Sequence, residues 1–189
     1  MRFEELKLKI KTPVFTSNDL SKLFPKEFES HINTQIHRML ARGDLLGLKR
    51  GVYVFTGANI DEFVLANKLY SPSYVSLESA LNNYGLIPDV AASVTSVSPI
   101  TSKKFSTPKG TFLYSKINKN LFFGFENKTD ENGNYYQIAL PEKALLDYIY
   151  IRKINNLAES RVDVISLNKR LLLSFSSHFP RFVGKVIEK

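Results

Sequence analysis

Residues 30–42 carry side chains suited to gripping a polyanion rather than to making or breaking bonds. At the 100° step of an α-helix, Ile32, Ile36, Met39 and Leu40 gather on one side. Ser30, His31, Thr34, His37, Arg38 and Ala41 take the opposite side, with Asn33, Gln35 and Arg42 on the flanks. That outer side holds no acid. Its hydroxyl, amide, imidazole and guanidinium groups can donate hydrogen bonds to phosphate oxygens or base edges, and Ala41 permits close approach. The plainer alternative is an ordinary solvated helix face. The segment that follows favours recognition. Leu48 to Val54 reads as a hairpin whose turn, Arg50-Gly51, presents Lys49 and Arg50 at an exposed tip. Such a tip can lie along phosphates or enter a minor groove, although charges there also keep a sheet edge soluble.

The elements that must position these residues follow from punctuation. Residues 1–11 predict a short helix from the spacing of Phe3, Leu6 and Ile10, broken by Thr12-Pro13. Val14 to Thr16 is extended. Ser17 or Asn18 is placed to cap a second helix, Asp19 to Phe24, stopped by Pro25. A third helix runs from Glu27 or Ser30 to Arg42, with Gly43 as its C-cap. Leu45–Lys49 and Val52–Phe55 are the hairpin strands, with Val52 and Val54 on one face and Tyr53 and Phe55 on the other. Three helices followed by a short basic-tipped hairpin is the order of a winged helix-turn-helix. The expected fold class is therefore α+β: a winged helix over residues 1–57, then a mixed domain over 58–189 with an antiparallel sheet and flanking helices.

In the second part, Asn59 to Leu69 predicts a helix, and Ser76 with Glu78 begins another that Gly85 closes. Residues 93–139 alternate apolar and polar positions between turn signals, which predicts about four antiparallel strands. Pro141 sits in the first turn of a further helix, and the last forty residues read as helical. Two separate cores are expected. Ile32, Ile36, Met39, Leu40 and Val52 form the first. Leu77, Leu81, Leu145, Ile149, Phe112, Phe123 and Ile138 form the second.

Composition narrows the chemistry. The 189 residues contain no cysteine, which removes disulfides, thiolate metal sites and a cysteine nucleophile. His31, His37 and His178 are too scattered to suggest a zinc site. No apolar run approaches the ~20 residues of a membrane span, and residues 1–11 lack the apolar core of a signal peptide, so a cytoplasmic location is expected. The net charge is +8 and unevenly spread. Residues 58–100 hold Lys68 as their one cation against Asp61, Glu62, Glu78 and Asp89, while basic residues crowd before residue 51, over 103–119 and after 152. That asymmetry suits a chain with one DNA-facing side. Asp89, Glu126 and Lys128 loosely match the PD-(D/E)xK nuclease pattern, in which two acids hold a metal, but the spacing is long and such short matches arise by chance. No cofactor or catalytic residue is expected.

Three segments occur in order: Lys49 to Tyr53, Tyr74 to Leu81 and Ala139 to Asp147. Together they resemble the AbiE antitoxin family of transcriptional regulators, over about residues 12–151. The resemblance implies an N-terminal winged helix that binds inverted repeats in its own operon's promoter. It also implies a C-terminal domain that counteracts a nucleotidyltransferase-like toxin, directly or through a shared target. On this reading Ser30, His31, Asn33, Thr34, His37, Arg38, Arg42, Lys49 and Arg50 meet DNA. The second and third segments are chiefly helix-start and core chemistry, with Glu78, Glu142, Lys143 and Asp147 as a candidate antitoxicity surface. A free-standing repressor that senses a small ligand is the alternative.

Overall fold

The computed structural model describes residues 1–88, 92–157 and 160–188. Its first elements are α1 (Phe3–Lys9), β1 (Val14–Thr16), α2 (Ser17–Leu23), α3 (Glu29–Arg42), β2 (Leu45–Lys49) and β3 (Val52–Phe55). The α2 cap falls one residue earlier than expected. The Thr16 hydroxyl accepts the Asp19 N–H at 3.1 Å while the Asp19 carboxylate accepts the Thr16 N–H at 2.8 Å. This reciprocal box lets the last residue of β1 start the helix. Gly43, at φ +76°, ends α3, as a left-handed residue must, with the N–H groups of Gly43 and Asp44 turned back onto Leu40 and Met39.

The three strands form an antiparallel sheet in the order β1-β3-β2. Alternation along it gives two faces, and both are buried. Phe15, Tyr53 and Phe55 pack towards the helices, with ring centroids 5.2 Å apart for Phe15–Phe55, in a core with Leu6, Leu20, Ile32, Ile36 and Met39. Val14, Leu48, Val52 and Val54 point the other way and join the larger core of the rest of the chain. Val52 therefore does not pack with Ile32 and Met39, as its position near them in the sequence suggested. The strand's second face is covered, so the two cores meet through one sheet.

A six-stranded sheet follows, built from β4 (Tyr74–Val75), β5 (Val94–Ser98), β6 (Lys103–Thr107), β7 (Gly110–Lys116), β8 (Phe125–Thr129) and β9 (Tyr135–Ala139). Its order is β6-β7-β5-β4-β9-β8. This corrects the antiparallel expectation. The hairpins β6–β7 and β8–β9 and the β4–β5 pair are antiparallel, but β5–β7 and β4–β9 are parallel. After β5 the chain crosses to the sheet edge as β6 and returns as β7 between the two, which fixes β7 parallel to β5. All five residues of β5 are buried, as a central strand requires. Helices α4 (Glu62–Leu69), α5 (Leu77–Asn83), α6 (Pro141–Arg152), α7 (Lys169–Ser176) and α8 (Arg181–Ile187) flank it. The architecture is thus α+β with two sheets. One edge strand of each sheet, β2 of the first and β6 of the second, lies beside the other, and Lys49 Nζ sits 5.1 Å from the centre of the Phe105 ring.

Candidate nucleic-acid interface

Helix α3 buries Ile32, Ile36 and Met39 and leaves Ser30, His31, Asn33, Thr34, His37, Arg38, Ala41 and Arg42 exposed, as its periodicity predicted. The exposed groups are not equally available. The Thr34 hydroxyl donates to the Ser30 carbonyl at 2.9 Å, and the Arg42 guanidinium holds Asp44 at 2.8 Å from both Nε and an Nη. Arg42 is therefore partly neutralised. Ser30, Asn33, His37 and Arg38 are among the open positions.

Between α3 and the β2–β3 hairpin runs a groove of about 570 Å³, lined in part by Ser17, Glu29, Asn33, His37, Lys49 and Arg50. The hairpin tip is tied down. The Ser17 N–H donates to the Gly51 carbonyl at 3.0 Å, and Gly51 holds φ +76°, where a side chain is strained. Arg50 is exposed, whereas Lys49 is half-buried against Phe105, and burial holds its ammonium pKa below the ordinary lysine value. Of the two expected tip cations, Arg50 alone projects freely. Two residues escaped the sequence reading. Glu29 places a carboxylate in the groove just before the acid-free stretch, and Phe28, which precedes α3, is exposed. Apolar residues outside the helical pattern give no periodic signal.

The second proposed group is not a surface. Lys143 and Asp147 are fully buried on α6, and Glu142 is nearly so. Lys143 and Asp147, one helical turn apart, form a direct ion pair. The Lys143 ammonium donates to the Tyr74 hydroxyl at 2.7 Å. Tyr74 and Ser76 each donate to Asp147 Oδ2 at 2.9 Å. The rings of Tyr74, Phe123 and Phe179 lie 5.2–5.3 Å from the ammonium. Burial opposes charge on both partners, raising the pKa of Asp147 and lowering that of Lys143, while the contact between them acts against burial in each case. Glu142 accepts the Asn168 N–H at 2.8 Å and so fixes the start of α7. These residues are inside because α6 is wrapped by α5, α7 and α8, with β9 alongside. Ser76 precedes α5 as expected, but its hydroxyl turns to Asp147 rather than capping. Thr95 on β5 supplies the cap instead, accepting the Ser79 N–H at 3.0 Å. Only Glu78 of the four reaches solvent, where Arg152 grips it at 2.7 and 3.0 Å.

Asp89, the first acid of the nuclease pattern, lies outside the described residues. Glu126 and Lys128 sit on β8, paired at 3.4 Å, with Lys128 Nζ also 3.3 Å from the Tyr84 hydroxyl. Among the described residues no group of three or more His, Asp or Glu side chains is placed to hold a metal ion. None of their helices is long and apolar enough to cross a membrane. No known protein family matches the chain, and no curated protein matches it either.

Proposed function

We propose that this chain is a DNA-binding transcriptional repressor of its own operon and the antitoxin of an AbiE-type pair, acting against a nucleotidyltransferase-like toxin. Residues 1–57 act as a winged helix-turn-helix, with α3 as the reading helix and the β2–β3 hairpin as the wing. One observation carries the DNA reading. Exposed Asn33 and His37 of α3 share a groove with Arg50 of a hairpin whose tip is fixed to α2. That arrangement presents base-reading and phosphate-neutralising groups side by side on a rigid frame. The antitoxin reading rests on the resemblance of the three ordered segments, and the partner surface is left to residues other than the buried Glu142, Lys143 and Asp147. The protein is proposed to act in the cytoplasm, without a cofactor and without catalysis.

A gel-shift series across salt, with promoter and random duplexes, tests the DNA reading. Arg38→Ala is expected to cost about 1–3 kcal/mol and relax sequence preference. Arg50→Ala is expected to weaken all duplexes alike and to flatten the salt slope by about one unit. Equal affinity of the unaltered protein for promoter and random DNA would refute the repressor. Growth rescue on co-expression with a neighbouring nucleotidyltransferase-like gene tests the antitoxin.

A ligand-sensing repressor is the second reading. It is favoured by a largely apolar cavity of about 450 Å³ beside α6, α7 and α8, whose lining includes Leu145, Leu172, Leu173 and Val186 together with the charged Lys169 and Glu188. Repression that persists without any toxin gene nearby, and responds to small apolar compounds, would select it.

A further inference from the structure

Phe28 is 74% exposed although it is one of the largest apolar side chains in the chain. A lone exposed apolar residue ordinarily needs no explanation. The placement of this one does. It immediately precedes α3, and its carbonyl accepts the His31 and Ile32 N–H groups at 2.9 and 3.1 Å, so the start of the helix fixes its backbone. Its ring stands edge-on to the His31 imidazole, centroids 5.9 Å apart and planes at 89°. With His31, Thr34 and Arg38 it lines the flank of α3 away from the hairpin. The ring is therefore held at the end of α3 and turned to solvent beside polar groups that can reach base edges. Buried aromatics of the same region, Phe15 and Phe24, show that the first core had room for apolar side chains and left Phe28 out.

When a helix enters the major groove, its N-terminal residues lie nearest the base edges. Only one pyrimidine edge there offers an apolar target, the C5 methyl of thymine, and phenylalanine is among the side chains that meet it. Resting on the DNA reading proposed above, we infer that Phe28 is a specificity residue that packs against a thymine methyl at the outer end of each half-site. Arg38 and His37 donate hydrogen bonds further along the groove. Phe28 adds an apolar contact that only the thymine methyl can return.

The test is a uracil scan. Uracil removes only the methyl and leaves the hydrogen-bonding edge intact. In a promoter duplex protected by the full-length chain, each thymine of one half-site is replaced in turn and affinity is measured by gel shift. One position is expected to lose about fourfold, the value of one buried methyl group. Phe28→Ala is expected to bind the thymine duplex as weakly as the unaltered protein binds the uracil one, and to be indifferent to the replacement. Phe28→Leu, still apolar, is expected to keep part of the discrimination. An unaltered protein that prefers its promoter but ignores every uracil overturns the inference alone. So does a Phe28→Ala variant that still distinguishes thymine from uracil at that position. Absence of any promoter preference instead overturns the underlying DNA reading, and the inference with it.

Discussion

Removing the Asp147 carboxylate is expected to be the most damaging single polar change in the described chain. In Asp147→Ala the Lys143 ammonium loses its ion pair while it remains fully buried, and the Tyr74 and Ser76 hydroxyls lose their acceptor together. Breaking a buried pair on one side costs about 3–5 kcal/mol, because the abandoned charge has no water to return to. For a chain of this size that lowers the melting temperature by roughly 6–20 °C. Three aromatic faces near the ammonium soften the loss without replacing an anion.

The opposite deletion behaves differently. In Lys143→Met the carboxylate keeps two hydroxyl donors and can take up a proton, which burial already favours. Its folded pKa then lies above the ordinary aspartate value. The native state binds more protons than the unfolded chain between the two values, so this variant is expected to gain stability as pH falls from 7 towards 4. The double variant Lys143→Met/Asp147→Leu is expected to recover most of the loss, since a buried pair and a well-packed apolar replacement are nearly equivalent. Urea unfolding by linear extrapolation at pH 7 and pH 5 measures all four proteins. A cost below about 1 kcal/mol for Asp147→Ala, or a double variant no more stable than Asp147→Ala, would refute the reasoning.

Three further outcomes are expected. Gly51→Ala places a β-carbon at φ +76° and 3.3 Å from Ser17 Oγ; it is expected to destabilise by about 1–2 kcal/mol in urea unfolding and to loosen the hairpin tip. In Glu78 burial is the largest influence and raises the carboxyl pKa, but the Arg152 hydrogen bonds and charge, joined by hydrogen bonds from its own backbone N–H and from Thr95, together outweigh it and hold it below the usual 4.5. Its contribution is therefore present above that pH and lost as pH falls through it towards the folded value, and Glu78→Gln is expected to abolish this part of the acid-side decline in a melting series from pH 7 to 3. A chain ended at Gly57 uncovers Val14, Leu48, Val52 and Val54 together; it is expected to self-associate on gel filtration, and a monomeric, cooperatively folded fragment would show that this face needs no cover.

Local chemistry made part of this molecule legible and topology hid the rest. The bounds of β2 and β3 follow from alternation on either side of Arg50-Gly51, and the end of α3 from Gly43, because each depends on neighbours a few residues away. The pairing of β5 with β7 depends on a chain crossing that alternation does not encode. The two-residue β4 is too short to have a period and was hidden within the approach to α5. Glu142, Lys143 and Asp147 look like surface residues because charges usually are. Their burial comes from α5, α7 and α8 closing round α6, and from Tyr74 and Ser76, about seventy residues earlier, supplying the hydrogen bonds that make burial tolerable. The i, i+4 spacing of Lys143 and Asp147 was the available signal, and it fits a solvated pair equally well.

The position of β3 bears on how far the two proposed activities can be separated. Tyr53 and Phe55 serve the core under α3, while Val52 and Val54, alternating with them, serve the core of the second sheet. A change in β3 therefore reaches both halves, and loss of repression together with rescue in such a variant says nothing about a shared functional surface. Thr34, His37 and Arg38 differ in kind. All three are exposed, none belongs to either apolar cluster, and exposed substitutions ordinarily shift stability by no more than ~0.5 kcal/mol. Changes on that outer face of α3, or at exposed Arg50, can therefore ask whether reading DNA and opposing a toxin use different parts of the molecule. The shared strand also fixes α3 and the Arg50 tip relative to the second sheet. The groups proposed to meet DNA are thus ordered before it arrives, which lowers the entropic cost of binding.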